Sequence, residues 1–315
     1  MADSVRLIDP NKIRANPENP RLIFREEDLL SLEKSIEAQG ILVPLTVYED
    51  GSYFVILDGE RRWRCARKLA LGSVPAHIQN KPDLLQNIMM MFAIHQARSD
   101  WDPLPTALKL EQLSAVLEKR YGYIPTESQL AAAASLDRGE VRRYRRILDL
   151  PNRFKKELME ELEKPRSSQV LTVDHVLEAV RGANSMVKRD VIDGDQEAKL
   201  AESLVDKFRR SVLKSTVEPR LLPKMARAVE RGDLTRRRAR NAVDKLISDP
   251  GYTVAQAYRD TVEAADFEHG SVQLVERLAL RLEDSAGVAQ IGDELRTALS
   301  RLQKVIRALL NSDRA

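Results

Sequence analysis

The sequence predicts an α+β N-terminal domain followed by an all-α helix-turn-helix domain and a helical C-terminal region. Three observations support this fold class. Short β-prone runs alternate with helical spacings up to about residue 100, the spacing is helical almost throughout from residue 101 onward, and residues 126–150 have the pattern of two short helices joined by a tight turn. A chain of 315 residues with 31% charged and 5% aromatic residues fits two or three such modules.

The N-terminal domain is predicted from alternating strand and helix signals. Apolar residues at Leu29, Leu32 and Ile36 have a helical spacing, and Gly40 is a natural end for that helix. The sequence 49–52 between two apolar runs is a hairpin signal. The predicted strands are 5–8, 45–48, 53–57 and 74–78, and the predicted helices are 26–39 and 82–96.

The helix-turn-helix prediction depends on caps and on charge. Thr126 with Gln129 three residues later fits a capping box, and Pro151 ends the second helix. That second helix is strongly basic, and a basic helix held by a preceding helix can enter the major groove or contact phosphates. The alternative is a solvated helix face of an all-α bundle. The predicted DNA-binding residues are Gln129, Arg138, Arg142, Arg143, Arg145 and Arg146.

The C-terminal region is predicted to be helical and to self-associate. Residues 183–197 are polar and break the periodicity, which indicates a linker. The last helix repeats apolar residues in a 4-3-4-3 spacing at Leu295, Leu299, Leu302, Ile306 and Leu309, typical of a coiled-coil seam or of a bundle helix. The predicted domains are 1–100, 101–182 (helix-turn-helix), the linker 183–197 and 198–315 (dimerisation or accessory region).

Composition excludes several kinds of site. A single cysteine, Cys65, leaves no internal disulfide and no thiolate cluster for zinc, and four scattered histidines show no metal-ligand spacing. No apolar run approaches the about 20 residues that span a bilayer, so we expect a cytoplasmic protein and no membrane partner. The net charge is only +3, but arginines cluster at 138–146 and 236–240. Local basic clusters predict a polyanionic partner; the second cluster fits either another DNA surface or a solvated face.

The run Gly59-Glu60-Arg61-Arg62-Trp63-Arg64 is the strongest candidate for a ligand site. It lies between a predicted strand and a predicted helix. Glycine lets the backbone approach an anion, the amides of the first helical turn point outward, and arginines add forked donors for phosphate oxygens. Because the chain contains no GxxxxGK[ST] loop, any triphosphate would be held by this turn.

Four motifs in order resemble the ParB family of chromosome and plasmid partition proteins. Residues 16–24 (NPENPRLIF) are similar to its NPxQPRxxF segment, and residues 35–47 resemble SIxxxGixxPLxV. The run 59–64 matches the GERRxR box, and 98–104 corresponds to RxDLxPxE. The helix-turn-helix follows at the expected distance. The resemblance covers about the first half of the chain.

The resemblance implies a ParB- and sulfiredoxin-like N-terminal fold, with cytidine triphosphate (CTP) as ligand of a dimeric clamp on double-stranded DNA. Carried onto this sequence, Gly40, Ile41 and Pro44 would lie near the cytidine, and Arg98 would reach a phosphate. A homodimer at the nucleoid or on a plasmid is expected. The triphosphate cradle would consist of Gly59, Glu60, Arg61, Arg62 and Arg64.

Two departures from the family change these expectations. Ile94 and His95 stand where the family has the glutamate and asparagine that serve magnesium and hydrolysis. Isoleucine offers no oxygen and histidine is a poor Mg²⁺ ligand, so we expect weak or lost hydrolysis and doubtful Mg²⁺ binding. The sequence begins close to its first strand, where many members carry a basic extension that engages a ParA-type ATPase, and this leaves a ParA partner uncertain.

Two other functions remain open from the sequence. The first is a ParB-like transcriptional regulator that does not use nucleotide, which the residues at 94 and 95 favour. The second is a small-molecule kinase or nucleotide hydrolase, since related N-terminal folds include such enzymes, although the arginine-rich central domain argues against it. Cys65 stands where the family usually has alanine, which indicates a small buried residue; a nucleophile, as in the related sulfiredoxins, is the alternative.

Overall fold

The structure is a computed structural model that describes residues 5–96, 102–284 and 292–312. The chain divides into two compact units, Met1–Thr261 and Val262–Ala315. The first unit contains the predicted α+β domain and most of the helices, and the second contains two long helices. No helix in the described ranges is both long enough and apolar enough to cross a membrane.

A mixed five-stranded sheet forms the N-terminal domain; four of its strands lie where they are predicted, and the two-residue strand at Ile13–Arg14 is additional. The strands are β1 (Val5–Ile8), β2 (Ile13–Arg14), β3 (Leu45–Asp50), β4 (Tyr53–Asp58) and β5 (Val74–Gln79). Their spatial order is β1-β5-β3-β4-β2. The β3–β4 pair is the predicted antiparallel hairpin, and Gly51 in its turn has a φ of 64°. Strand β5 runs parallel to β3 and antiparallel to β1, and β2 runs parallel to β4.

Helices cover both faces of this sheet. Three helices belong to the domain: α1 (Glu26–Gln39), α2 (Glu60–Lys68) and α3 (Leu84–Gln96). Trp63 and Ala66 of α2 join the apolar core on one face, together with Leu45, Val47 and Ile56. On the other face, the alternate residues Tyr48, Val55 and Leu57 pack against Met91 of α3. The period-2 alternation of β3 and β4 therefore serves two cores.

Helix α3 also belongs to the helical core that follows. Ile88 and Phe92 pack with Leu110 and Leu113 of α4 (Pro103–Tyr121), while Met91 faces the sheet. The same core includes Leu130 and Ala134 of α5 (Glu127–Ala134) and Val141 of α6 (Arg138–Leu148). Since α3 contributes to both cores, the α+β domain and the helix-turn-helix form a continuous packed structure.

Six more helices complete the first unit, and they include much of the expected linker. Helix α8 extends through Val187, and Ala183, Met186, Val191 and Ile192 are buried, so the structure differs from the polar linker predicted at 183–197. These four buried apolar residues stand among polar residues in the sequence. The hydroxyl of Ser185 donates to Gly182 O at 2.6 Å within the helix. The helices are α7 (Asn152–Glu163), α8 (Val173–Val187), α9 (Gly194–Arg209), α10 (Leu221–Arg231), α11 (Arg236–Ser248) and α12 (Val254–Thr261).

The second unit consists of α13 (Glu263–Asp284) and α14 (Asp293–Ser312). Helix α14 contains the predicted apolar seam, whose members Leu295, Leu302, Ile306 and Leu309 are exposed. Helix α13 likewise exposes Phe267. Exposed apolar residues repeated along a helix are typical of a surface that associates with another helix.

Candidate nucleotide site and DNA interface

The turn between β4 and α2 requires glycine at its centre. Gly59 is the N-cap of α2 with a φ of 96°, a conformation that residues with a Cβ rarely adopt. A Cβ at this position would lie 3.0 Å from Nη2 of Arg62 and 3.1 Å from Cγ of Leu45. Glycine also supplies no side-chain cap, so the amides of the first helical turn remain available to an anion.

Arg62 fastens this turn to the segment predicted to hold the base. Its Nη2 lies 2.9 Å from Oδ2 of Asp58, and its Nη1 donates to the carbonyl of Pro44 at 2.8 Å and to that of Val43. The guanidinium is therefore committed to protein acceptors. Within the proposed cradle, Arg62 positions the backbone, a role different from the direct phosphate contact that the motif implies.

The segment that follows α1 is brought next to the glycine turn. Gly40 ends α1 with a φ of 71°, and its N–H donates to Ile36 O at 2.8 Å. Ile41 packs against the sheet core, whereas Leu42 and Val43 are exposed. The carbonyls of Val43 and Pro44 thus contact Arg62 of the Gly59 turn. A position of Gly40, Ile41 and Pro44 near a cytidine stays a prediction.

Arg61 donates to one protein acceptor among the described residues, and another of its nitrogens makes no hydrogen bond there. Its Nη2 donates to the backbone carbonyl of Asp28 at 2.5 Å. Its Nε is buried and lacks a hydrogen-bond partner among the described residues. Buried donors are nearly always satisfied, so this nitrogen is unusual. Because it is closed to solvent, the Arg61 side chain would have to move for Nε to reach a ligand.

Glu60 and Arg64 connect the turn to the N-terminal loop. Glu60 is buried; its Oε1 accepts from Nη2 of Arg64 at 2.7 Å and its Oε2 accepts from Nδ2 of Asn19 at 2.8 Å. The guanidinium of Arg64 also lies 4.1 Å from the ring centroid of Phe24. Asn19 and Phe24 stand in the first motif, and the structure shows that they support the arginine box.

A charge cluster that sequence reasoning missed surrounds Asp28. Its Oδ2 lies 3.4 Å from Arg21, 3.9 Å from Arg25 and 3.6 Å from Arg166. Arg25 is buried, and it also donates to Leu162 O at 3.1 Å. The backbone carbonyl of Asp28 also accepts a hydrogen bond from Arg61. The Asp28 cluster therefore connects the turn at Gly59 to α7 and to the segment after it. Nothing in the sequence pairs residue 28 with residue 166.

Of the two residues that depart from the family motif, Ile94 and His95, the structure describes the side chain of Ile94. Ile94 is half-buried and packs in the sheet-facing cluster with Tyr48, Leu57 and Met91. The side chain of His95 and the whole of Arg98 lie outside the described residues. The isoleucine is therefore a packing residue.

Cys65 has the environment of a core residue. Its side chain is buried, and its Sγ lies 3.9 Å from Leu29 O. Burial, together with the nearby charge of Glu33, raises the pKa of the thiol. A thiol of raised pKa is a poor nucleophile, so the structure favours the packing interpretation.

Helices α5 and α6 form the predicted helix-turn-helix. Thr126 and Gln129 make the predicted capping box, and Ser135 takes a left-handed conformation with a φ of 55° between the helices. A second capping box, Asp137 with Glu140, begins α6. Gln129 also donates to the hydroxyl of Tyr123 at 3.2 Å, so its side chain fixes the local structure of the predicted DNA surface.

The arginines of α6 are only weakly neutralised. Arg143 pairs with Asp174 at 2.9 Å, whereas Arg142 and Arg145 each lie 3.8 Å from a carboxylate oxygen of Glu127. Such exposed pairs contribute little stability and exchange readily for other anions. The arginines predicted to contact DNA at 138, 142, 143 and 146 are exposed, and Arg145 is half-buried.

The fold and the turn define an α+β domain with an arginine-rich helix start, joined to a helix-turn-helix. Residues 1–93 match the family model of the ParB N-terminal domain. The predicted resemblance to the ParB family is therefore confirmed over the N-terminal domain.

Two relatives show how far the similarity extends. The chromosome-partitioning protein ParB of Caulobacter vibrioides is 28% identical over 62% of this chain and 60% of its own length. A nucleoid occlusion protein of Geobacillus thermodenitrificans is 27% identical over 75% of each chain. The matched part thus spans about 60% of the first of these relatives.

Among solved structures, a C-terminally truncated ParB from Caulobacter crescentus is similar at 25% identity. In its complex with the centromeric parS site, 98% of that chain matches 62% of this one, with a TM-score of 0.38. In its complex with CTPγS, the match covers 66% of this chain, with a TM-score of 0.29.

Proposed function

We propose that the chain is a ParB-like DNA-binding partition protein, a dimeric clamp on duplex DNA gated by CTP, with weak or lost hydrolysis. The observation that carries the proposal is the uncapped start of α2 behind Gly59, next to a buried and unpartnered Nε of Arg61. A backbone anion site with an adjacent spare guanidinium donor suits a polyphosphate.

The residues of the site take distinct roles in this proposal. The amides after Gly59 and the side chain of Arg61 bind phosphates, with Arg98 as a further phosphate contact. Arg62 holds the base-side segment against the turn through the Val43 and Pro44 carbonyls. Glu60 holds Arg64 and Asn19, which keeps the N-terminal loop against α2.

Hydrolysis is expected to be weak or lost in this account. The family's glutamate is replaced by Ile94, which packs against the sheet and offers no oxygen to a cation. The proposal therefore assigns CTP as a bound ligand, with Mg²⁺ doubtful. Nucleotide would act by stabilising one arrangement of the chain over another.

The Asp28 cluster connects the proposed phosphate site to α7 and to the segment after it. Arg61 bonds to the carbonyl of Asp28, and the carboxylate of Asp28 lies within ion-pair distance of Arg166 beyond α7. A phosphate that draws Arg61 away would change the support of the first turn of α1.

The apolar seam of α14 would supply the permanent dimer contact of the clamp.

The proposal is tested by titrating ATP, GTP, CTP and UTP with and without duplex DNA, while binding and release of inorganic phosphate are both followed. We expect saturable binding of CTP in preference to the other three, with little phosphate released. Binding of none of the four nucleotides would contradict the nucleotide part of the proposal.

A second function, a nucleotide-independent DNA-binding regulator, is favoured by the packing of Ile94. The similarity to a nucleoid occlusion protein over 75% of each chain supports a ParB-like role other than partition. Genome-wide DNA binding that clusters at promoters and is the same with and without CTP would favour this function over the clamp.

A further inference from the structure

The loop between α4 and α5 exposes aromatic surface beside the helix-turn-helix. Tyr121 and Tyr123 are 56% and 51% exposed, and Ile124 is 70% exposed. We call residues 121–125 the tyrosine loop. The residues assigned to DNA are Gln129 on α5 and arginines on α6, so this loop is not among the predicted contacts. Neighbouring exposed apolar residues on a folded protein are typical of a binding surface.

The tyrosine loop has a defined conformation. The two tyrosine rings stack with centroids 6.2 Å apart and an angle of 27° between their planes. Gly122 ends α4 with a φ of 77°, and Thr126 caps α5. The hydroxyl of Tyr123 accepts a hydrogen bond from Gln129, which leaves its proton free to be donated. The loop therefore presents the hydroxyl of Tyr123, held by Gln129, next to the exposed ring of Tyr121.

Contacts with α6 place the loop beside the basic surface of the helix-turn-helix. Nη2 of Arg145 donates to the carbonyl of Pro125 at 3.5 Å. The next residues of the chain continue the connection, because Glu127 lies 3.8 Å from both Arg142 and Arg145. Pro125 of the loop and the nearby Glu127 thus contact arginines of α6, which places the tyrosine loop next to that helix.

The chemistry of this surface fits the sugar–phosphate backbone of duplex DNA. Tyrosine hydroxyls donate to phosphate oxygens, and the N-terminus of the first helix of such a motif lies near the backbone. The rings offer apolar surface to deoxyribose, while the adjacent arginines attract phosphate charge. A protein partner would instead have to match two weakly paired arginines next to the apolar patch.

We propose that Tyr121 and Tyr123 form a backbone-binding platform that extends the DNA contact of the helix-turn-helix onto the flanking phosphates. This inference rests on the proposed DNA binding of α6. It assigns the loop a role in affinity and placement on the duplex. It assigns no role in reading base sequence, since phosphate contacts carry none.

The test uses the full chain, a random-sequence duplex and the double variant Tyr121→Leu/Tyr123→Leu. We expect a loss of affinity of roughly tenfold, with an unchanged slope of log affinity against log salt, because no charge is removed. Tyr53→Leu is the control: Tyr53 is also exposed, on β4, where its ring lies 3.4 Å from the guanidinium of Arg14. This control is expected to bind DNA like the parent.

Two further measurements protect the test against misfolding of the double variant. Tyr121→Phe removes one hydroxyl and is expected to lose part of the affinity. In the parent chain, DNA should slow chemical nitration of Tyr121 and Tyr123 and leave that of Tyr53 unchanged. Parental affinity of all loop variants, or nitration that DNA does not slow, would overturn the inference.

Failure of this inference can be told apart from failure of the proposed function. The variant Arg142→Ala/Arg143→Ala is measured on the same duplex. If it loses affinity while the tyrosine variants do not, only the platform is wrong. If neither set of variants loses affinity, DNA binding by α6 is itself contradicted.

Discussion

At the scale of single residues, the three arginines of the run 59–64 have different partners and therefore different roles. Arg62 is bound by Asp58 and two backbone carbonyls, Arg64 is bound by Glu60, and Arg61 keeps a buried Nε without a partner. The three side chains of the motif are chemically alike, so the protein acceptors around each one determine which arginine is the best candidate for a ligand contact. That assignment depends on Asp28, Val43 and Asn19, which approach from other parts of the chain.

Replacement of Gly59 by alanine tests the geometry of the turn. The positive φ alone costs about 1 to 2 kcal/mol with a Cβ present. The new carbon would also lie against Arg62 and Leu45. The segment 40–44, which Arg62 holds through its carbonyls, would therefore shift. We expect a lower melting temperature and lost CTP binding. Gly72→Ala is the control, because a Cβ there meets nothing within 4 Å.

Removal of the carboxylate of Asp28 tests the connection between nucleotide and the helical region. Asp28→Asn keeps the backbone carbonyl that Arg61 uses but weakens the pairs with Arg21, Arg25 and Arg166. We expect CTP affinity to change little, while hydrogen exchange of α1 and of residues 162–166 becomes faster. Unchanged exchange in both segments would show that the cluster does not join them.

At the scale of elements, strongly periodic segments were predictable and contact-dependent ones were not. The alternation of β3 and β4, the glycine stop of α1 and the capping box of α5 are local, and the structure has them where the sequence predicts them. Strand β2 has only two residues, and it exists because it pairs with β4. The buried face at 183–192 was likewise not predicted from the sequence, because polar residues separate its apolar positions 183, 186 and 191–192.

Helix α8 is expected to respond to acid through its cap. Nδ1 of His175 accepts from Thr172 N at 3.1 Å, and the ring stacks on Phe208. Burial lowers the pKa of His175, so the unfolded chain binds its proton more readily than the folded chain. Stability from this residue is therefore present above the unfolded pKa and is lost as pH falls below about 6.5.

The measurement is the melting temperature across pH 5 to 8 for the parent and for His175→Gln. Glutamine can make the same capping box but does not titrate. We expect the variant to lose less stability than the parent on acidification. Identical acid sensitivity of the two chains would remove His175 as a cause.

The recognition helix carries its own prediction. Arg142→Ala/Arg143→Ala should weaken binding to duplex DNA and reduce the salt slope by about 1 to 2, because about one counterion is released for each phosphate contact. Arg6→Ala/Lys12→Ala, which removes two exposed positive charges outside both arginine clusters, serves as the control. A parental slope in the α6 variant would contradict DNA contact by this helix.

At the scale of the whole molecule, the clamp account requires a dimer. Leu302 and Ile306 lie on the exposed seam of α14. Charges in an apolar helix seam are costly when buried, so Leu302→Asp/Ile306→Asp should convert a dimer to a monomer in light scattering. The double variant should still bind CTP, because the site lies in the first unit. A parental molar mass would exclude this seam as the dimer contact.

The central claim is that the Gly59 turn binds CTP through Arg61. Calorimetric titration of CTP into Arg61→Ala tests it directly, with Arg67→Ala, an exposed arginine on the same helix, as the control. Loss of a charge-assisted hydrogen bond predicts an affinity lower by about ten- to a hundredfold for the first variant and parental affinity for the second. Equal affinity of Arg61→Ala and the parent would contradict the account.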